Sequence, residues 1–521
     1  MRAGSLPDDC LGSAETGSDS RARLTTVLVA AGAAIVSMVV YRGVLGAYFW
    51  KDDFSWLYVL HDRSLAEFLF TPMGGHSLVA RNAVLALTDA FAGFDPRPYF
   101  AAMLLTHGLN VGLLATLILR QTGRPWLAAI GATAWGTCPA ASETLGWYSV
   151  YGQVAATTFI LLLSLRLTAR IRDGAALSRL DLAIISVCLG FSVLFFGTAV
   201  AVALALPLAT MLLPDGLGRG RGRGLFAVSA GVLGLYLLLQ VLGSRAYGMP
   251  NAPIYVLRLG IRSPGRFVTT GVQLLRVGVA SLLLGSWWQP RGQPDLLSWL
   301  ALAGGAGGLI TAFGIASPQR RRVLLAFTVL ALAVYALIAL ARGPTSEFLF
   351  GTPSAKVAAQ PRYHYVAQAF LAVALCVAFD AVARSGRSTL AGFVAVGWAV
   401  VLAAGALVNP VSVDRHDAAR IEVARALGSL HDQLAAAPSG QTTYIRNQPI
   451  DAFGWMPNSV VRPPGLAALF IIAVEPNELG GRRVQFIEPN PSVVDLFARP
   501  GVRMANLLVP MRTPESTSPD H

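Results

Sequence analysis

Lysine is almost missing from this 521-residue chain, occurring only at Lys51 and Lys356. Charge of any sign is scarce, at 13% of residues against 54% hydrophobic ones. A water-soluble chain of this length needs far more charge to cover its surface, so a soluble globular enzyme is excluded. The formal net charge is +13, yet no basic stripe interleaved with aromatics is present, and nucleic acid is not an expected partner. The four cysteines, Cys10, Cys138, Cys188 and Cys376, form neither a CxxC pair nor a disulfide framework. No internal repeat of roughly 20–50 residues is present, which argues against a solenoid. The RGRGRG run at 219–224 lacks the Lys-Ser/Thr ending and the preceding strand of a phosphate loop.

What the chain has instead is apolar length. Mean hydropathy is +0.56. Apolar runs fall at 24–41, 99–119, 126–142, 153–169, 180–196, 198–213, 225–242, 296–316, 323–341, 363–383 and 390–408. A hydrocarbon core of about 30 Å takes roughly 20 helical residues. The expectation is a polytopic α-helical membrane protein with about 11 transmembrane helices (one per run). Residues 1–23 read as a disordered cytoplasmic tail. No small-x-small cleavage site follows the first run, so it is expected as a retained helix and not a signal peptide.

Arginines orient the spans. Arg120 and Arg124, Arg166 to Arg179, Arg219 to Arg223, Arg320 to Arg322, and Arg384 with Arg387 all fall on the cytoplasmic side if the N-terminus does. The apolar stretch 271–285 carries Arg276 at its middle, and spanning it would put Arg320 to Arg322 outside. It is therefore expected as an interfacial or half-inserted helix, with Arg276 snorkelling to the head groups. Residues 409–521 are richer in Pro, Asn and Asp and are expected to form a small α/β domain on the outer face, with strands at TTYI, ALFIIAV and RVQFIE. Gly108 with Gly112, and Gly304 with Gly308, are four apart and are expected on helix-packing faces.

This topology gathers chemistry outside. The outer loop 42–98 holds the adjacent pair Asp52 and Asp53, then Asp62, Glu67, His76 and Arg81. The segment from Phe54 to Phe70 reads as a helix lying on the membrane surface. One carboxylate at its start is an ordinary N-cap, and two leave one for other work. A carboxylate beside a second carboxylate and apolar surface can have its pKa raised into a range useful for a general base. Both readings of the pair, caps or base, stay open, as does which aspartate is the base. Glu143, Trp147 and Tyr148 follow the third run, and Arg362, Tyr363 and Tyr365 open the tenth. Trp50, Trp56, Tyr58, Trp147 and Tyr148 suit either sugar stacking or anchoring in the aromatic belt. His107 and Asn110 share a helix face and fit a buried interhelical hydrogen bond better than catalysis.

In order, these elements are an acidic pair after the first helix, Gly75-His76, a Tyr…His-x-x-Asn stretch at Tyr99, His107 and Asn110, Pro139-x-x-x-Glu143-x-x-x-Trp147, and Arg362-Tyr363-x-Tyr365. The ordered set, across residues 24–408, resembles the GT-C superfamily of membrane glycosyltransferases, near the protein O-mannosyltransferase-like branch and its bacterial relatives. One departure is that relatives often carry a Lys-Glu or similar pair where this chain has Phe196-Gly197. The resemblance implies a GT-C-like transmembrane domain in the plasma (bacterial inner) membrane, N-terminus cytoplasmic and C-terminal domain extracytoplasmic. It implies a sugar carried on a polyprenyl phosphate, transferred with inversion to a glycan, lipid or protein acceptor. Asp53 or Asp52 would serve as base. His76, Glu143, Trp147, Tyr363 and Tyr365 would bind substrate, and Arg362, with Arg258, Arg262 and Arg266 behind it, would hold the phosphate. The carboxylates and His76 offer donors for a divalent cation such as Mn, Mg or Zn, but no ligand spacing points to one. Two rival classes remain. A transporter or flippase should show mid-membrane charges on broken helices, and a non-catalytic envelope-assembly protein would be built around 409–521.

Overall fold

The computed structural model describes residues 12–49, 52–62, 64–72, 76–172, 177–212, 219–246, 258–289 and 292–385, positions between 392 and 405, and two strands at 442–446 and 483–487. Helices α1 (Gly12–Val40), α2 (Asp52–Asp62), α3 (Leu65–Phe70), α4 (Val79–Ala92) and α5 (Pro96–Thr122) come first. Then follow α6 (Pro125–Gly136), α7 (Ala140–Leu145), α8 (Tyr151–Arg172), α9 (Arg179–Phe195), α10 (Ala199–Leu212) and α11 (Arg219–Ala246). The set ends with α12 (Pro264–Leu284), α13 (Leu296–Ile315), α14 (Pro318–Phe350), α15 (Ser354–Ala358) and α16 (Tyr365–Arg384). Eight helices among the described residues are long and apolar enough to cross a membrane. The protein is a polytopic helical membrane protein, and each of the first ten apolar runs lies on a helix. The eleventh, 390–408, is described only in part. Of the expected outer domain, β1 (Thr442–Arg446) and β2 (Arg483–Ile487) pair in parallel, Thr442 opposite Arg483. The ALFIIAV strand and the rest of 409–521 lie outside the described residues.

Local chemistry fixes the helix ends. Asp95 caps α5 by accepting from Arg97 N at 3.1 Å, with Pro96 at the first position. Gly123, in the left-handed region at φ 68°, closes α5, and Pro125 opens α6 directly after it. Ser64 with Glu67, and Ser178 with Asp181, form capping boxes at α3 and α9. Glu67 is thereby a cap and not a site carboxylate.

The run expected as one span over 126–142 breaks after Gly136, two residues before Pro139 leads into α7. Its terminal carbonyls, buried away from water, need donors from elsewhere. Ser37 Oγ donates to Gly136 O at 2.6 Å, and Tyr41 Oη donates to Cys138 O at 2.5 Å. His107 Nε2 also lies 2.9 Å from Gly136 O. His107 Nδ1 meets Tyr365 Oη at 2.7 Å, and Asn110 Nδ2 donates to Val154 O at 2.8 Å. His107 and Asn110 thus join α1, α5, α6, α8 and α16 by buried hydrogen bonds, the interhelical role expected of them.

Helix α12 is long and apolar enough to span. Thr270 bonds Ser354, Gly278 lies against Tyr335 and His364, and Gln368 donates to Gly278 O at 2.8 Å and to Ser281 Oγ at 2.7 Å. Only its last turns therefore run beside α16, level with the first turn of that helix. The snorkelling role expected of Arg276 is not the one observed. Arg276 is 1% exposed, bonds Gln273 and Ser298, and sits 3.7 Å from Asp295 at the cap of α13. A carboxylate and a hydroxyl at the start of α13 satisfy it without a reach to head groups. A second correction concerns glycine. Gly108 and Gly112 pack against Met38 and Ala30 of α1 as expected, whereas nothing lies within 4 Å of where a side chain on Gly304 or Gly308 would begin. Gly305 is the close-approach residue of α13, facing Val279, because one residue turns the helix face by about 100°.

Tyr41→Phe should lower unfolding stability by about 1–2 kcal/mol, because the Cys138 carbonyl loses its donor while staying buried. Thermal unfolding in detergent measures this, and an unchanged midpoint would show that another donor replaces the phenol.

Candidate active site

The first turn of α8 is the hub of one end of the bundle. Trp147 is extended, and a 3-10 turn at Tyr148–Val150 leads into the helix. The opening N–H groups of such a helix have no partner inside it. Asp53 supplies one from across the fold: its Oδ1 accepts from Ser149 N at 2.5 Å and from Ser149 Oγ at 2.6 Å. Asp53 lies in the first turn of α2 and is buried. It therefore acts as a cap, though on a helix far away in sequence. Asp52 begins α2, and its side chain lies outside the described residues.

Asp53 shares a cleft with Phe49, Trp56, Leu57, Arg81, Leu85, Tyr148 and Ser149, packed too tightly for a water molecule. Arg81 is buried there with its guanidinium carbon 3.5 Å from the centre of the Trp56 ring. Trp56 is thus a buried cation–π partner and neither a sugar platform nor a belt anchor. Tyr148 stacks on Tyr151 at 5.3 Å and meets Tyr99 edge-on at 5.0 Å. The expected single surface helix over 54–70 is two helices, α2 and α3, with Phe68 buried beneath.

The other face of the same segment carries the second group. Glu143, on α7, pairs with the Arg362 guanidinium and accepts from Arg362 N at 3.3 Å. Arg362 also bonds Gln360, lies 4.9 Å from the Trp147 ring centre and 5.0 Å from that of Tyr363, and its carbonyl accepts from Gln153 at 2.7 Å. Two stretches far apart in sequence, carrying Glu143 with Trp147 and Arg362 with Tyr363, form one cluster. Arg342, near the end of α14, exerts its charge on both Tyr363 and His76. Among the described residues no carboxylate is paired with it. The sequence reading missed Arg342, whose signal is an arginine closing an apolar span just before Gly343 and Pro344.

His76 completes the ring. It stacks on Phe196 at 5.7 Å, and any side chain at Gly197 would run into its imidazole. The pair missing relative to GT-C relatives thus falls where His76 now packs. Burial, with Arg342 adding to it, pushes His76 down to about 4. Gly152 closes the circuit, since a side chain there would strike the Phe195 carbonyl and approach Arg81. Asp53, Arg81 and Ser149 on one side and Trp147, Glu143, Arg362 and Tyr363 on the other meet at the start of α8, with His76 packed on Phe196 and Gly197 beside them; together they are the ring of the candidate site.

No family model matches this chain, and no curated protein matches it. The chain is similar to a solved structure, ArnT from Cupriavidus metallidurans bound to undecaprenyl phosphate. The two share 15% identity over 96% of this chain and 100% of ArnT, at a TM-score of 0.42.

Three sequence-derived candidates stay outside the ring. Tyr365 is buried in the network with His107 and Asn110, and Trp135 Nε1 donates to its carbonyl at 3.0 Å. Arg258 and Arg262 are exposed, on the segment leading to α12. Among the described residues no three His, Cys, Asp or Glu side chains converge as a metal site would require.

Ser149→Ala should cost about 1 kcal/mol in unfolding free energy, since Asp53 keeps the backbone N–H and loses the hydroxyl. Chemical denaturation in detergent against wild type reads it, and a loss several times larger would mean that the hydroxyl, not the N–H, holds the outer loop. His76 should stay neutral at neutral pH. Its folded value of about 4 lies below its ordinary 6.5, so the unfolded chain takes up the proton first and stability falls as pH drops from about 6.5 to 4. Histidine-selective NMR titration checks this, and a His76 midpoint near 6.5 would contradict it.

Proposed function

We propose that the protein is a membrane glycosyltransferase that moves a sugar from a polyprenyl-phosphate donor to a hydroxyl on an envelope glycan, lipid or protein at the outer face. The observation that carries the reading is the gathering of the ordered motifs, drawn from three separate stretches of chain, around one helix start. Asp53, Glu143, Trp147, Arg362, Tyr363 and His76 all belong to that ring, and Arg342 joins them.

In this reading the acceptor oxygen attacks the anomeric carbon and the bond from that carbon to the phosphate oxygen breaks. The electron pair leaves with the lipid phosphate, and the acceptor proton passes to Asp53. Phosphate is a good leaving group, so the protein's task on that side is to hold growing negative charge and not to supply an acid. Arg342 and Arg362 would serve as the cations for it, Arg362 as the fork fixed by Glu143 and Arg342 as a charge with no carboxylate partner among the described residues. His76, neutral at the working pH, is a hydrogen-bonding group and not a third cation. Because Asp53 is closed onto Ser149 in a cleft without room for water, an acceptor enters only when α2 shifts away from α8. Donor and acceptor identity, and any dependence on a divalent cation, belong to the same assay. Transport would instead call for charge at mid-membrane, where the buried polar residues His107, Asn110 and Tyr365 are hydrogen-bonded to one another or to neighbouring helices.

The test is genetic and chemical together. The gene is deleted and complemented with wild type, Asp53→Asn, Arg342→Gln or Arg362→Gln at matched abundance, and envelope glycans are profiled by mass spectrometry. One sugar should disappear on deletion and return with wild type. The Asp53→Asn variant should transfer at about 10²-fold or more below wild type, the usual size of a general-base loss. Full restoration by Asp53→Asn would reduce the aspartate to a helix cap and remove the chemical basis of the reading.

A further inference from the structure

The opposite end of the bundle carries a second charged cluster that the proposed reaction does not use. Helix α16 leads from the ring at Tyr363 to Arg384, about 30 Å away at 1.5 Å per residue. Near that end Asp380 is buried, at 1% exposure, and receives three arginines. Arg124 Nε lies at 2.7 Å, Arg320 Nε at 3.0 Å and Arg384 Nε at 3.0 Å. Three positive charges against one negative leave an excess of two. The guanidinium groups of Arg124 and Arg320 are each 29% exposed and that of Arg384 is 46% exposed.

The geometry shows where that excess points. Each arginine spends its Nε edge on Asp380, and Arg384 gives a terminal nitrogen to Thr122 O at 3.1 Å. Among the described residues the terminal nitrogens of Arg124 and Arg320 have no protein partner. Arg124 stands at the N-cap of α6, and Arg320 in the first turn of α14. Two arginines from separate helix starts therefore meet at Asp380. The neighbouring cluster behaves differently: Asp181 takes two arginines, and Arg166 spends both Nε and a terminal nitrogen on it. Below Arg320, α14 continues with Leu325 and Leu332 facing outward from the bundle.

We infer that this cluster binds the phosphate of an anionic bilayer lipid, the guanidinium forks of Arg124 and Arg320 gripping the head group while the acyl chains run along α14. Arginine forks fit phosphate oxygens in pairs, and basic pockets between helix ends at the arginine-rich side of a membrane protein suit anionic head groups. A free phosphate ion offers the same oxygens but no chains for Leu325 and Leu332.

The purified full chain is placed in nanodiscs of phosphatidylcholine alone, or of phosphatidylcholine mixed with phosphatidylglycerol. Thermal unfolding is recorded, and retained lipid is identified by native mass spectrometry. Wild type should unfold at higher temperature with phosphatidylglycerol and carry it into the gas phase. Arg320→Gln and Arg384→Gln each leave Asp380 two partners, so both should fold in phosphatidylcholine. Arg320→Gln should weaken phosphatidylglycerol retention by about tenfold, the effect of one lost charge-assisted contact, and Arg384→Gln, which removes charge but no contact to the phosphate, by less. Arg179→Gln, an exposed charge at the same end outside the cluster, should keep wild-type retention. The inference is overturned if wild type shows no preference between the two discs, or if Arg179→Gln loses as much as the cluster variants. It is also overturned as a lipid site if inorganic phosphate added to phosphatidylcholine discs gives the same stabilisation. None of these outcomes bears on sugar transfer, so this inference and the proposed function stand or fall separately.

Discussion

The contact between the Asp53 carboxylate and the N–H and hydroxyl of Ser149 holds the outer end together. It answers two demands at once: a buried carboxylate must be hydrogen-bonded, and the first N–H groups of a helix need an acceptor. Because the acceptor comes from α2, the outer loop is tied to the start of α8. Arg81 brings a positive charge into the same cleft over Trp56, so the carboxylate is not an isolated charge in apolar surroundings. With Ser149 fixed from one side, the segment before it presents Glu143 and Trp147 to the other, where Arg362 meets them.

The bilayer imposes the second level of order. Backbone carbonyls have no water to turn to, so the broken end of α6 is closed by Ser37, His107 and Tyr41. The residues that do this also fix how α1, α5, α8 and α16 sit against one another. Their position beneath the ring makes them its support, and explains why a tyrosine from the Arg-Tyr-x-Tyr element is buried with them and not at the surface. The two ends of the bundle then differ in kind. One gathers aromatic residues and balanced charge around a closed cleft, and the other gathers arginines around Asp380 and Asp181.

Patterns of length and order were readable without coordinates. Apolar runs of near-membrane length define most of the helices, because the cost of an unpaired peptide group in hydrocarbon leaves helix as the open choice for such runs. Capping signals such as Asp95-Pro96 and Ser178-x-x-Asp181 were equally local.

Rotation and distance were not readable. Asp52 and Asp53 are neighbours in the chain, but about 100° apart around a helix, and the packing of α2 decides that Asp53 faces Ser149. The same rotation chose Gly305 over Gly304 and Gly308. An arginine in or beside an apolar run looks alike wherever it occurs, yet Arg276 is buried against Ser298, while Arg124 and Arg384 pair with Asp380. The sequence by itself determined that the chain crosses a membrane many times and which residue types its ordered motifs supply, because hydrophobic length and motif order are properties of the chain. Only the tertiary structure decided which of those residues meet, because a polar side chain in an apolar setting takes the nearest partner, and that partner comes from elsewhere in the chain.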